Sequence, residues 1–586
     1  MNEHPSPLRV GLVQFQPRKA RVGDNLEALA HRIREAGPDH DILVFPETAL
    51  SGYFLQGGVV EAARTAGEVA RGLGVPPAGA PDVVVGFYER WRRRLYNSAA
   101  WLTPGEAAWE IVHVHRKMFL PTYGVFDEAR FVEAGTSLQS FDTRFGRVGM
   151  MICEELWHSL PGTILALGGA ELMVVVSASP ARDLSPEEGG RPANLARWER
   201  LARSAAEEHG IYVVVSQLVG SEGGKLFAGG SLAVGPDGKV LARGPLMEEA
   251  VIPAVLHGLH LDRARAEAPL LADLEQMLPH LEESLVDARM GGRDTRIAPP
   301  LEGKGDAAPL VPSDSACLEL DLPLVEEALL RFIRDEVVKR RGFQKVVVGV
   351  SGGVDSAVAV ALACRALGPE NVHGFRLPYA TSSPESLEHA QIILDHTGAQ
   401  AHTIEISGAV DAYVERYEPD VTPQRKGNLM ARLRAVTLFD QSAKLHALPL
   451  GTGNKSERLL GYYTWHADDS PPINPLGDLF KTQVWALARY LGIPSEIVEK
   501  PATADLVKGV TDEDELGIGY LQADPILYWL VRGFHAADLI QSGFDPDHVR
   551  LVEARLNSTH WKRELPTVAL LSSSAIGEFY LRPVDY

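Results

Sequence analysis

Six consecutive residues, Ser351-Gly352-Gly353-Val354-Asp355-Ser356, put two glycines, two hydroxyls and a carboxylate into one short turn. The apolar run Lys345 to Val350 before them predicts a buried strand. The Ala-rich run Ala357 to Leu367 after them predicts a helix. A strand, a glycine turn and a helix start make an anion site, because free backbone N–H groups and the helix dipole both point at the turn. Gly352 and Gly353 let the backbone approach a phosphate, and Ser351 and Ser356 add hydroxyl donors. Asp355 repels a phosphate unless a cation bridges the two, so the turn predicts a magnesium–nucleotide complex. The spacing is neither GxxxxGK[ST], since no lysine precedes the last serine, nor GxGxxG.

A second set of residues sits in the first half of the chain. Val44-Phe45-Pro46-Glu47 ends one predicted strand, and Val148 to Ile152 runs into Cys153-Glu154-Glu155. Between them lies His115-Arg116-Lys117-Met118-Phe119-Leu120-Pro121, followed by Tyr123 and Phe126-Asp127-Glu128. A cysteine, a carboxylate and a lysine at strand ends form a nucleophile, a base and a cation. Cys153 can attack an amide carbonyl, and Glu47 can carry the thiol proton to departing ammonia. Lys117 can stabilise the oxyanion or orient the carboxylates. Singly, each has a plainer reading, since a lone buried Cys is usually inert and a lone Lys or Glu usually sits at the surface.

These sets need elements to position them. At 586 residues the chain should hold two or more domains. Strands are predicted at Leu8 to Phe15, Asp41 to Phe45, Val83 to Phe87, Val148 to Ile152, Leu172 to Val176, Ile211 to Ser216 and Ser231 to Val234. Arg191 to Glu208 reads as an amphipathic helix, and Leu261 to about Met290 as a charged helical stretch. Gly291 to Ser315, rich in Gly, Pro, Asp and Ala, reads as a linker. A second α/β region opens with a helix at Leu324 to Arg341. The domains are therefore drawn at 1–257, a connector at 258–317, and 318–586. The net charge of −20 disfavours a nucleic-acid partner. Three cysteines, Cys153, Cys317 and Cys364, suit a reducing compartment. No apolar run approaches a membrane span, and Met1 to Val10 has no apolar signal core, so a soluble cytoplasmic protein is expected.

The SGGxDS turn resembles the pyrophosphate loop of enzymes that cleave ATP between its α and β phosphates. Downstream lie Gly451-Thr452-Gly453-Asn454-Lys455-Ser456-Glu457, Asn474-Pro475-Leu476-Gly477-Asp478-Leu479-Phe480-Lys481-Thr482, Pro501 to Leu506 and Thr511 to Gly517. In this order and spacing, from about Leu318 to Tyr520, they resemble the NAD synthetase family. The resemblance implies that ATP activates the nicotinate carboxylate of deamido-NAD as an acyl-adenylate, which ammonia converts to the amide. It implies an ATP site at Gly349, Ser351, Gly352, Gly353, Asp355, Ser356 and Thr452, with Asp355 and Glu457 as magnesium ligands. Arg432, with Arg434 as the neighbouring candidate, Asp468 and Lys481 then fall at the dinucleotide, and Thr452 and Lys481 at positions that contact the nucleotide phosphates. Asp468 stands in Ala467-Asp468-Asp469-Ser470-Pro471-Pro472, where the family often has Gly-Asp. Leu377 to Pro384 and Pro501 to Gly517 match loops that close over the site.

From Leu8 to Val255 the chain resembles the nitrilase superfamily, whose Glu-Lys-Cys triad falls in this order. That implies thioester amidase chemistry on glutamine, with Tyr123, Glu128, Ser177 and Ser179 around the substrate. The expected fold is α/β: a nitrilase-like α-β-β-α sandwich, then a doubly wound, Rossmann-like parallel sheet. The joined halves resemble the glutamine-dependent members of the NAD synthetase family, whose relatives dimerise, so a homo-oligomer is expected. The alternatives are another pyrophosphate-loop amidotransferase, or a non-catalytic nucleotide sensor with a decayed amidase domain.

Overall fold

The computed structural model describes residues 6–186, 189–291, 309–380, 382–503 and 511–564, with residues 569 and 571. Most of the expected linker, and residues 504–510 of the expected closing loop Pro501 to Gly517, lie outside the described residues. Among those described, contacts divide the chain into two compact units. The first runs to Asp183 and resumes at Arg191; the second takes in the short segment around Leu184 and the chain from 309 to 564.

The first unit is built on two six-stranded sheets. One contains β1 (Leu8–Gln14), β2 (Ile42–Val44), β3 (Asp82–Trp91), β4 (Arg94–Pro104) and β5 (Trp109–Arg116). The other contains β6 (Phe141–Thr143), β7 (Gly146–Ile152), β8 (Leu172–Ser177) and β9 (Tyr212–Gln217). A short hairpin, β10 (Val219–Glu222) and β11 (Lys225–Ala228), stands apart. β12 (Leu232–Val234) and β13 (Val240–Arg243) extend the second sheet, and β14 (Ala250–Leu256) returns to the first. The strand orders are β14-β1-β2-β3-β4-β5 and β13-β12-β9-β8-β7-β6. β1 packs against β9 across the sandwich.

Helices cover the outer faces. The helix Val22–Ala36 buries Val22, Leu29 and Ile33 at near-helical spacing, in one cluster with Leu43, Val83 and Val85. Each such fully buried side chain contributes roughly 1.5–3 kcal/mol. The helix Ala193–His209 packs on β9, completing four layers, α-β-β-α. The stretch after β14 forms two helices, Gly258–Glu267 and Leu270–Gly291; between them Ala268 leaves the helical region at φ −138°, ψ 87°, as a residue before proline favours.

The second unit carries β15 (Lys345–Gly349), β16 (Val372–Arg376), β17 (Gln400–Thr403) and β18 (Ala447–Pro449), ordered β17-β16-β15-β18 with every pairing parallel. Strand alternation explains the two cores. Val346 and Val348 face the helix Val354–Leu367, while Val347 joins Phe375 and Met430 on the opposite face. This is the doubly wound arrangement expected. The order reverses between β15 and β18, and ligands of such sheets bind at the carboxyl ends beside that switch point. The turn after β15 lies there.

Candidate active sites

In the first unit, Glu47 follows β2, Lys117 follows β5 and Cys153 follows β7. The set therefore draws on both sheets of the sandwich. Lys117 is completely buried; its Nζ lies 2.8 Å from Glu47 Oε1 and 2.7 Å from Glu128 Oε1. The Ala178 N–H donates to Glu47 Oε2 at 2.7 Å, and Asn97 Nδ2 donates to Glu47 Oε1 at 2.7 Å. The Tyr53 hydroxyl donates to Glu128 Oε1. Gly86 in β3 makes room for this turn: a Cβ there would lie 2.4 Å from the Pro46 carbonyl oxygen and 2.6 Å from Glu47 Cα.

Burial works against the Lys117 ammonium, but Glu128 and Glu47 outweigh it and hold its pKa well above the usual value. Burial pushes the Glu128 carboxyl up to about 7, against the pull of Lys117 and with repulsion from Glu47. The Cys153 thiol is pushed far above its usual range, first by burial and then by the charge of Glu47. Cys153 therefore rests as a thiol, and it could act as a nucleophile only with a base to take its proton. Cys153 has φ +52°, a left-handed conformation that side chains seldom adopt. Such outliers cluster at functional sites.

The residues expected around glutamine are spread differently. Ser177 Oγ donates to Cys153 Sγ at 3.6 Å, and Glu128 touches the lysine directly. Ser179 Oγ accepts from Asn194 Nδ2 at 3.0 Å. Tyr123 is half exposed, packed edge-on against Phe126. Two further groups stand out here. Glu154 Oε2 and Arg182 Nη2 are buried and have no hydrogen-bond partner among the described residues. Both act electrostatically on Tyr123, and an Arg182 nitrogen lies 2.5 Å from where a Cβ of Gly124 would stand.

In the second unit a cavity of about 510 Å³ opens beside β15. Gly349, Ser351, Gly353, Asp355 and Ser356 line it. So do Thr452, Glu457, Asp468 and Lys481. The described ends of both expected closing loops also reach it, at Leu377, Pro378 and Ser382 and at Pro501 to Thr503. Gly352 lies behind the lining with φ +80°; a Cβ there would lie 2.2 Å from the Ser386 carbonyl oxygen. The two serines shape the turn. The Ser351 N–H donates to Ser356 Oγ at 3.3 Å, and Ser356 Oγ donates to the Gly353 carbonyl at 3.0 Å. Arg434 lines the cavity, whereas Arg432 is exposed and bonds the Trp465 carbonyl at 3.3 Å.

Lys481 Nζ lies 2.5 Å from Asp355 Oδ2 and 3.5 Å from Glu457 Oε1. Burial lowers the ammonium, but Asp355 and Glu457 outweigh it and raise its pKa. Burial, then repulsion from Asp355, pushes the Glu457 carboxyl up to about 8. Lys481 lies against both carboxylates, and its pull on Glu457 does not offset burial and the repulsion from Asp355. Burial likewise raises Asp468 above the ordinary carboxylate range.

Two residues here lie outside the expected site set. Asn454 caps the helix Lys455–Leu460, accepting from the Glu457 N–H at 2.9 Å while its Nδ2 donates to Asp355 Oδ1 at 2.9 Å. The N-x-x-E spacing of a capping box is a sequence signal for it. Asp524, fully buried, accepts from Ser456 Oγ at 2.5 Å and from the Thr482 N–H at 2.9 Å. It ties together the helix starts that carry Glu457 and Lys481, and no local pattern marks it.

A family model for carbon-nitrogen hydrolases matches residues 9–258, and one for NAD synthases matches residues 325–566. The glutamine-dependent NAD(+) synthetase of Thermotoga maritima is 32% identical over 618 aligned positions, covering 98% of both chains. The NH(3)-dependent NAD(+) synthetase of Chlorobaculum parvum is 45% identical but aligns with only 44% of this chain, covering 94% of its own. Among solved structures, the glutamine-dependent NAD+ synthetase of Acinetobacter baumannii, in complex with ADP, matches with a TM-score of 0.69 over 98% of each chain. At 24% identity that likeness speaks for the fold. The ammonia-dependent relatives align with one half and the glutamine-dependent relatives with the whole: the chain belongs to the glutamine-dependent NAD(+) synthetases.

Proposed function

We propose that each unit carries out one half of glutamine-dependent NAD synthesis, with the glutaminase in 1–257 and the synthetase in 318–586. The supporting observation is that each unit holds its own complete chemical set. A buried lysine between two carboxylates sits in the unit that carries Cys153. A second such lysine sits on a nucleotide-sized cavity.

In the glutaminase, Cys153 Sγ attacks the side-chain amide carbon of glutamine while Glu47 takes the thiol proton. Lys117 Nζ faces the oxyanion of the tetrahedral intermediate. Glu47 returns the proton to the leaving nitrogen, ammonia departs, and a glutamyl thioester remains on Cys153. Water, deprotonated by Glu47, then releases glutamate and restores the thiol. Glu154 Oε2 and Arg182 Nη2, both short of partners, suit the α-ammonium and α-carboxylate of glutamine, with Tyr123 beside them.

In the synthetase, the nicotinate carboxylate of deamido-NAD attacks the α-phosphorus of ATP and pyrophosphate leaves. Ammonia then attacks the acyl carbon and AMP departs, leaving the amide of NAD. Two carboxylates short of counter-charge are hard oxygen donors of the kind magnesium takes alongside phosphates, so Asp355 and Glu457 would hold it. When bound, it would neutralise charge on the leaving pyrophosphate. The SGGVDS turn and Thr452 hold the phosphates by backbone and hydroxyl donors, and Lys481 adds positive charge. Arg434 and Asp468 line the same cavity within reach of the dinucleotide.

Cys153→Ala tests this assignment. Glutamine-driven NAD formation should fall by roughly 10³-fold or more. Ammonium-driven formation should stay within about twofold of wild type. Equal loss of both in a folded protein would contradict it.

A further inference from the structure

Glu155 has a role that neither the triad nor the substrate contacts absorb. Its carboxylate is 1% exposed, yet it is surrounded by donors. Oε2 accepts the Ile152 N–H at 2.6 Å, immediately before Cys153. Oε1 accepts the Met118 N–H at 2.7 Å, immediately after Lys117. His115 Nε2 lies 2.7 Å from Oε2, two residues before Lys117, with its side chain 2% exposed. Burial opposes ionisation of Glu155, but His115 and the N–H groups of Met118 and Ile152 outweigh it and hold the carboxyl below the usual range.

This placement spans the sandwich. His115 and Met118 flank Lys117 at the end of β5, in the first sheet, while Ile152 ends β7, in the second. One charged group thus fastens the backbone on both sides of the lysine to the backbone that enters the nucleophile. The nucleophile needs such a fastening, because Cys153 is held at φ +52° and a relaxed turn would turn its thiol away. A buried, hydrogen-bonded carboxylate of this kind is weak evidence for stability, and fixing a single arrangement is a use attested for such groups in some proteins.

The geometry points to Glu155 as the positioning residue of the glutaminase, with His115 as its donor: together they set the placement of Lys117 against Cys153 across the two sheets. The inference rests on the glutaminase reading of the first unit. Glu155 touches neither substrate nor the reacting atoms, so its loss should appear in turnover rather than in substrate affinity.

The test uses the full chain with Glu155→Gln, His115→Gln and His115→Leu, beside Cys153→Ala as the check on the underlying reading. Glu155→Gln should lower glutamine-driven kcat about tenfold to a hundredfold and change KM for glutamine less than about threefold. Alkylation of Cys153 by iodoacetamide, followed on its own peptide, should change rate in the same variant. His115→Gln keeps a donor and should stay within about threefold of wild type, whereas His115→Leu should fall at least about tenfold. Ammonium-driven synthesis should be unchanged in all three. A wild-type kcat in Glu155→Gln, a loss confined to KM, or a parallel loss of ammonium-driven synthesis overturns the positioning role. If Glu155→Gln does not accumulate, the two His115 variants decide, and equal kcat in both overturns it. If instead Cys153→Ala keeps its glutamine-driven rate, the glutaminase reading itself has failed.

Discussion

Each unit places one lysine between two carboxylates, and the surroundings of the two trios differ. Lys117, Glu47 and Glu128 have side chains 0%, 0% and 4% exposed, and every oxygen of Glu47 has a fixed donor. Lys481 is similarly buried at 3%, but Asp355 and Glu457 are 17% and 18% exposed and open onto the cavity. The sealed trio keeps a permanent charge beside a thiol, in surroundings where electrostatic effects are strongest. The open trio can exchange part of its ion pairing for a cation and a phosphate. On the function proposed above, the sealed trio suits covalent chemistry from which water is excluded, and the open trio suits phosphate chemistry where a ligand can enter.

Four changes would break or sharpen that contrast, from large to small. Asp355→Ala removes a hard ligand from the open trio, so synthesis from glutamine and from ammonium should both fall. A loss of several kcal/mol, roughly 10³-fold in rate, is expected. Near-normal ammonium-driven rates would remove Asp355 from the phosphate chemistry.

Glu128→Gln probes the sealed trio through pH. The Glu128 carboxyl is raised from its ordinary 4.5 to about 7, so between those values the folded state holds a proton that the unfolded chain has lost. Stability therefore falls as pH rises through that window and levels off above it. The full effect is on the order of 3 kcal/mol. Glutamine cannot ionise, so the variant should flatten this slope, read by calorimetry as the pH dependence of the melting temperature of the first unit. An unchanged slope would place the proton elsewhere.

Gly352→Ala forces a side chain into a left-handed turn against the Ser386 carbonyl. It should destabilise the second unit by about 2–3 kcal/mol and weaken ATP binding, seen by calorimetry with and without nucleotide. A variant that melts and binds like wild type would mean the turn relaxes at no cost. Arg182→Ala removes one charge-assisted contact and should raise KM for glutamine about tenfold with kcat nearly kept. An unchanged KM would take Arg182 out of the substrate pocket.

How much of this is legible in the sequence depends on where the partners lie. The SGGVDS turn is contiguous, and its flanking strand and helix announce themselves by apolar runs. β7 and the turn to Cys153 are equally plain, because Val148 to Ile152 is apolar and ends at the cysteine. β4 is not, since Asn97, Ser98, Ala99 and Ala100 show neither alternation nor strong β-propensity, although the strand is buried. Asn97 is lost with it, and its partner Glu47 is 50 residues away. Asn454 and Asp355 are 99 residues apart, and Asp524 and Ser456 are 68 apart. Such pairs are made by folding, and no local spacing records them. The choice between Arg432 and Arg434 also needs the fold: two residues apart on one helix, they point different ways, and Arg434 is the one that lines the cavity.

The contrast between the trios is tested most directly by substituting their central lysines. The ratio of glutamine-driven to ammonium-driven NAD formation should be measured for Lys117→Met and Lys481→Met beside wild type. In Lys117→Met the ratio should collapse by roughly 10²–10³-fold while the ammonium-driven rate holds. In Lys481→Met both rates should fall together by a similar factor, leaving the ratio near that of wild type. A Lys117→Met enzyme that loses both activities equally, or a Lys481→Met enzyme that loses only the glutamine-driven one, would contradict the assignment of one chemistry to each trio.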